Sequence, residues 1–211
     1  MKDESRSEIQ LVGPGDHEVF RSALSAALEG YEHPDEIAEQ IRRDSFSMVL
    51  LPEERVGLTD ARRVELVRLA LAWKRADEAA WTVVTDNDRL QAVFSTLEGR
   101  GLVCRENFLC CSSCARGEMD YLIASMKEEG MSPRGYVFFH EQDRDACLEG
   151  WPLTIVCGPA DWKAPGANDI GREVRQALEE AGLSVEESYV SETPIKLLDV
   201  KMVWRKRMPG D

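Results

Sequence analysis

Apolar positions along this 211-residue chain change their period near residue 81. Before that point they fall at helical spacing. Val19, Phe20, Ala23, Leu24, Ala27 and Leu28 recur at three and four. The turn "GPGD" precedes them, with Asp16 placed to cap, and Gly30 stops the run. Residues 34–43 predict a second, shorter helix, with Pro34 in its first turn and Ile37 and Ile41 on one face. "SFSMVLLP" reads equally as a short strand or a buried helical turn. Residues 60–77 predict a third helix with Val64, Val67, Leu71 and Trp73 inward.

After residue 81, short β-rich runs alternate with helical ones. "WTVVT", "LVCREN", "GYVFFH" and "PLTIVCG" read as strands, and "SVEESYV" with "IKLLDVKMVW" reads as a closing antiparallel pair. Thr85 and Asp88 have the spacing of a capping box, ahead of an inner face made of Leu90, Val93, Phe94 and Leu97, and Gly99 and Gly101 end that helix. Met119, Leu122, Ile123 and Met126 mark another helix, "EQDRDACLEG" one or two turns, and residues 168–181 the clearest one, with Asn168 as its expected cap. The fold class predicted is α+β. Residues 1–80 form a helical N-terminal part packed on a mixed sheet of about six strands with covering helices, built from residues 81–211.

Composition narrows the function. Hydrophobic residues make up 43% and charged residues 31%, which suits a globular chain with a real core. A net charge of −13 repels phosphate backbones and anionic headgroups, so nucleic acid and membrane are not expected partners. A small-molecule substrate or a basic protein partner fits that surface better. The first residues, "MKDESRSEIQ", lack the apolar stretch of a signal peptide, and no apolar run approaches the roughly 20 residues of a membrane span. A cytoplasmic address is the expectation. Thiols stay reduced there, so the six cysteines are not expected to form a disulfide framework.

Three of those cysteines, Cys110, Cys111 and Cys114, fall within five residues in "NFLCCSSCARGE". The C-x-x-C spacing lets two sulfurs converge on a metal ion or on each other. Cys114 falls near a predicted helix start, where unpaired N–H groups favour thiolate. A metal site is one reading, with zinc the cofactor that cysteine and imidazole ligands suit. His140, at the end of "GYVFFH", is the best ligand outside the cluster, with Cys104, Cys147 and Cys157 as further candidates. Glu141 or Asp143 could orient the imidazole. With an open coordination position, Glu141 or Glu118 would serve as the base on a bound water, in a hydrolytic or deaminase-like reaction. Adjacent cysteines point apart in extended chain, so Cys110 and Cys111 can share one ion only across a sharp bend. Thiol–disulfide exchange by Cys111 and Cys114 is the second reading, an acidic interaction module the third, and plain core packing the bland alternative. For Cys104, Cys147 and Cys157, packing is the favoured reading. His17 and His33 read as surface or capping residues.

The segments "TDNDRLQAVFSTLEGRGLVCRENFLCCSSC", "RGYVFFHEQD" and "IGREVRQALEEAGLSV" resemble an uncharacterised bacterial family, a domain of unknown function, over residues 81–185. The resemblance implies that Cys110, Cys111, Cys114, His140 and Asp143 belong to a shared pattern. It implies no substrate or reaction. The family commonly has Gly-His after the third cysteine, where this chain has Ala115 and Arg116.

Overall fold

The computed structural model describes residue 11 and residues 14–43, 58–161, 163–187 and 194–210. "SFSMVLLP" lies outside the described residues. The chain divides into two compact units, Val83–Trp204 and a second in which the tail from Arg205 joins residues up to Thr82.

The unit of Met1–Thr82 with Arg205–Asp211 is helical. Its elements are α1 (Pro14–Glu29), α2 (Pro34–Arg43) and α3 (Asp60–Glu78). Val19, Ala23, Ala27, Ile37, Ile41, Leu66, Val67 and Ala70 close its core with Met208 from the tail. Asp16 sits inside the first turn of α1 and accepts two hydrogen bonds from Arg62, at 2.6 and 3.1 Å, which tie α1 to α3. Gly30 ends α1 at φ 76°, and a Cβ there would lie 2.7 Å from the Lys206 carbonyl, so only glycine admits the returning tail. The inner face of α3 differs from the sequence expectation. Leu66, Val67, Ala70 and Lys74 are buried, whereas Val64 is 41% and Trp73 52% exposed. Two apolar stripes overlap on this helix, and the winning one includes a lysine. Lys74 becomes buriable because Nζ donates to the Lys206 carbonyl at 2.8 Å, pairs with Glu78 at 3.1 Å and lies 4.1 Å from the Trp81 ring centroid. Burial still lowers its pKa, against the pull of Glu78.

Val83–Trp204 is the α+β unit. In order it contains α4 (Asp86–Gly99), β1 (Leu102–Arg105), α5 (Ser112–Glu128), β2 (Gly135–Phe138), α6 (Glu141–Leu148) and β3 (Leu153–Pro159). A 3-10 turn at Ala167–Asp169, α7 (Ile170–Glu180), β4 (Ser184–Glu187) and β5 (Lys196–Lys201) complete it. The sheet is mixed, in the order β1-β2-β3-β5-β4, with β1 and β2 parallel and the other pairs antiparallel. Val103, Tyr136, Phe138 and Val156 meet Ala115, Met119 and Ile123 of α5 on one face. On the other face Phe139 packs against Phe94 of α4 and edge-on against Trp204.

The class is α+β as expected, with five strands among the described residues rather than about six. "WTVVT" is the missing strand. It is a loop, with Val83 92% exposed, because no strand among the described residues covers it and Thr85 is held as the α4 cap. That cap is the full capping box with Asp88, and Leu90, Val93, Phe94 and Leu97 are all buried as the spacing predicted. Helix α7 starts one residue later than expected. Gly166, at φ 80°, opens the 3-10 turn, and Asp169 precedes the helix without a side-chain capping bond.

Candidate metal centre

Parallel pairing of β1 and β2 puts their C-terminal ends side by side, and each is followed by a helix start. Loops at the carboxyl ends of parallel strands are a recurrent place for ligand sites. The loop after β1, residues 106–111, is bent twice. Asn107 has φ 49° and Leu109 φ 61°, both left-handed. For leucine this conformation costs about 1–2 kcal/mol and must be held by its surroundings. Four attachments hold it. Phe108 N–H donates to the Phe139 carbonyl at 2.8 Å, and its ring packs 5.9 Å from Phe138. Glu141 N–H donates to the Leu109 carbonyl at 2.9 Å. Buried Arg144 donates to the Asn107 carboxamide oxygen at 2.9 Å, while its other nitrogens grip Asp145.

The bends bring the thiols together. Ligand atoms of Cys110, Cys111 and Cys114 all lie within 4.8 Å of one another. Cys110 and Cys114 are exposed and Cys111 half-buried. Cys111 stands at the N-cap of α5 and Cys114 in its first turn. The Cys111 sulfur makes no full capping hydrogen bond. It is near enough to the Cys114 N–H, and to the thiols of Cys114 and Cys110, for its pKa to fall below the ordinary thiol value. The same neighbours act oppositely on Cys114, which is pushed up to about 11 because its thiol serves Cys111 and faces two other sulfurs. The two shifts therefore belong to Cys111 and Cys114 as a pair rather than to either thiol alone.

The other predicted residues fall elsewhere. His140 is 7% exposed and is the N-cap of α6. Its Nδ1 accepts from the Asp143 N–H at 3.3 Å and lies 3.2 Å from Asp143 Oδ2, which in turn accepts from the His140 N–H at 3.0 Å. Burial raises the pKa of Asp143, offset in part by that backbone bond. The imidazole does not join the three sulfurs within their common 4.8 Å sphere, and neither do the carboxylates of Glu118 and Glu141. Glu118 is exposed, four residues beyond Cys114 and so on the same side of α5, in its second turn. Glu141 is half-buried at the first position of α6, one residue after His140. Cys104, Cys147 and Cys157 are core residues. Burial pushes Cys104 up to about 12 and Cys147 up to about 11, which suits neither ligation nor redox chemistry.

Sequence reasoning missed Asn107, Leu109 and Arg144, which hold the loop bent. The need for a bend beside Cys110 was readable, and asparagine is a residue that tolerates the left-handed region. Nothing in the sequence marked Leu109.

Fold and site thus define an α+β protein with an exposed three-thiol cluster that can hold a metal ion. The chain belongs to the family described as Domain of unknown function (DUF6891), which matches residues 16–208 and so takes in the helical unit that the resemblance over residues 81–185 left out. No curated protein and no solved structure matches it. No helix among the described residues is long and apolar enough to cross a membrane.

Proposed function

We propose that the protein binds one zinc ion through the thiolates of Cys110, Cys111 and Cys114, leaving a fourth position open to solvent. The observation that carries this reading is the convergence of three sulfurs, two of them exposed, on a strained loop that the rest of the domain holds in place. A tetrahedral zinc with bonds of about 2.3 Å needs sulfurs about 3.8 Å apart, so only a small inward shift separates this arrangement from a coordination shell. Three thiolates on a dication leave one net negative charge at the start of α5, where the helix dipole favours it. The acidic surface keeps other anions from competing.

A bound zinc ion would supply an acidified water at the open position. The chain's part is then to take a proton from that water. Glu118, on the Cys114 side of α5, or Glu141, at the start of α6, would serve as that base, toward a hydrolytic or deaminase-like reaction on a small substrate. Purified protein should carry about one zinc per chain by elemental analysis, as a single site requires. Cobalt(II) should replace it with the intense absorption of thiolate ligation, and Cys111→Ser should abolish both. A metal-free protein that fails to take up cobalt would end this reading.

One observation favours a second reading. Cys111 is lowered and Cys114 raised, which is the polarity that a dithiol reductant uses. The Cys111 thiolate would attack a substrate disulfide and expel one thiolate. Cys114, on losing its proton, would then displace the second and close a Cys111–Cys114 disulfide, passing two electrons to the substrate. Reduction of a model disulfide by metal-free protein, lost in Cys111→Ser, distinguishes it.

A further inference from the structure

The donor set of the thiol cluster fits a second kind of occupant. Among the described residues, Cys110, Cys111 and Cys114 gather within 4.8 Å of one another with no His, Asp or Glu atom in the same sphere. The nearest imidazole in sequence order of the two helix starts is engaged as a cap, since His140 Nδ1 accepts from the Asp143 N–H. Cys110 and Cys114 are exposed, so the triangle of sulfurs is open to solvent on one side. Zinc held there takes its fourth ligand from outside the sphere. A trivalent, pyramidal centre needs none, because three bonds complete its valence and a lone pair takes the fourth corner.

Trivalent arsenic is such a centre, and it is soft, as thiolate is. Its bonds to sulfur are about as long as the zinc–sulfur bond of about 2.3 Å, so a similar inward shift of the sulfurs seats it. Charge separates the two occupants. Three thiolates on zinc leave one negative charge, whereas three on trivalent arsenic sum to zero and add nothing to a chain already at −13. Arsenous acid is itself uncharged at neutral pH, so the acidic surface that repels oxyanions does not repel it. The loop supplies the remaining advantage. Asn107 and Leu109 are held left-handed by Phe108, Glu141 and Arg144, so the third sulfur already stands close when two bonds have formed.

We propose that this site takes arsenous acid through all three sulfurs, in competition with zinc. The inference rests on the zinc reading for the convergence of the thiols and not for the identity of the ion. Three As–O bonds break and three As–S bonds form. Each thiol proton leaves with one hydroxyl as water. Arsenic stays trivalent and sulfur keeps its oxidation state, so no oxidant or reductant is consumed.

Arsenite added to the reduced, metal-free full chain tests this. Native mass spectrometry should show one arsenous acid bound with the loss of three waters, one for each sulfur of the cluster. Cys110→Ser should lose only two waters and bind about a hundredfold more weakly in an ultraviolet titration of the arsenic–sulfur absorption, because closure of the third bond is intramolecular. The count of waters on the parent needs no variant, so misfolding of Cys110→Ser would not shield the proposal. No adduct, an adduct short of only two waters on the parent, or a folded Cys110→Ser with parental affinity would overturn it. Cobalt(II) titration of the same preparation keeps the two readings apart. Arsenite uptake without cobalt uptake ends the zinc reading and sustains this one, and cobalt uptake without arsenite uptake does the reverse.

Discussion

Helices α5 and α6 begin beside one another, each just past the end of a parallel strand, and their first turns are closed in different ways. At α6, His140 and Asp143 exchange backbone hydrogen bonds in a complete capping box, buried and self-contained. At α5 the N-cap is Cys111, which makes no full capping bond, and two further thiols stand against it. One helix start is spent on stability. The other leaves its backbone N–H groups to a cluster of sulfurs that they help to ionise. A residue already used as a cap is poorly placed to be a ligand as well. The contrast therefore weighs for three sulfurs without the imidazole, and for His140 as a residue that fixes the turn after β2.

The contrast is sharpest in thiol reactivity. Thiolate is the reacting form, so a thiol with a lowered pKa alkylates at lower pH and one with a raised pKa waits for alkali. At pH 7, iodoacetamide on the metal-free protein should modify Cys111 well before Cys114, whose rate should climb about tenfold per pH unit until near its pKa of about 11. Cys104 and Cys147 should stay unmodified until the protein unfolds, since burial both raises and shields them. Peptide mapping across a pH series reads this directly. Equal labelling of Cys111 and Cys114 at neutral pH would mean that the start of α5 does not polarise its thiols.

A second break runs between the two sets of cysteines. Cys157 is fully buried on β3, and its sulfur donates weakly to the Lys196 carbonyl of β5 at 3.8 Å. Cys157→Ser places a hydroxyl among hydrocarbon and should cost about 1–3 kcal/mol in denaturant unfolding, with metal content unchanged. Cys110→Ser, on an exposed side chain, should reverse the pattern, with stability within about 0.5 kcal/mol and the metal lost.

Much of the fold was legible because local chemistry and tertiary packing agree. The Thr85–Asp88 box, the Leu90 to Leu97 face and the glycine stops all appear where spacing put them. The failures occur where a neighbour decides. "WTVVT" has strand composition but no strand beside it among the described residues, and Val64 and Trp73 lost the inner face of α3 to a stripe containing Lys74. Besides Glu78 and Trp81, buried Lys74 uses a carbonyl brought by a tail more than a hundred residues away, which no local pattern records. At the site, the cysteine spacing announced convergence, and the structure adds how. A leucine in a left-handed conformation and an arginine from the next helix hold the bend. At His140 an imidazole at a strand end can serve either chemistry, as ligand or as cap. Its use as a cap depends on where α6 starts.

The smallest effect tests that last point. His140→Ala removes the acceptor for the Asp143 N–H but leaves the backbone half of the box, in which the His140 N–H donates to Asp143. Loss of an N-cap acceptor costs about 1 kcal/mol, so unfolding should shift by that amount. His140→Asn, which restores a capping oxygen, should recover most of it. Zinc stoichiometry should stay the same in both variants, because the sulfurs and the loop attachments from Phe108 and Arg144 are untouched. If His140→Ala instead empties the site while His140→Asn remains folded and also empty, the imidazole is a ligand. The cap geometry would then have to open when metal binds.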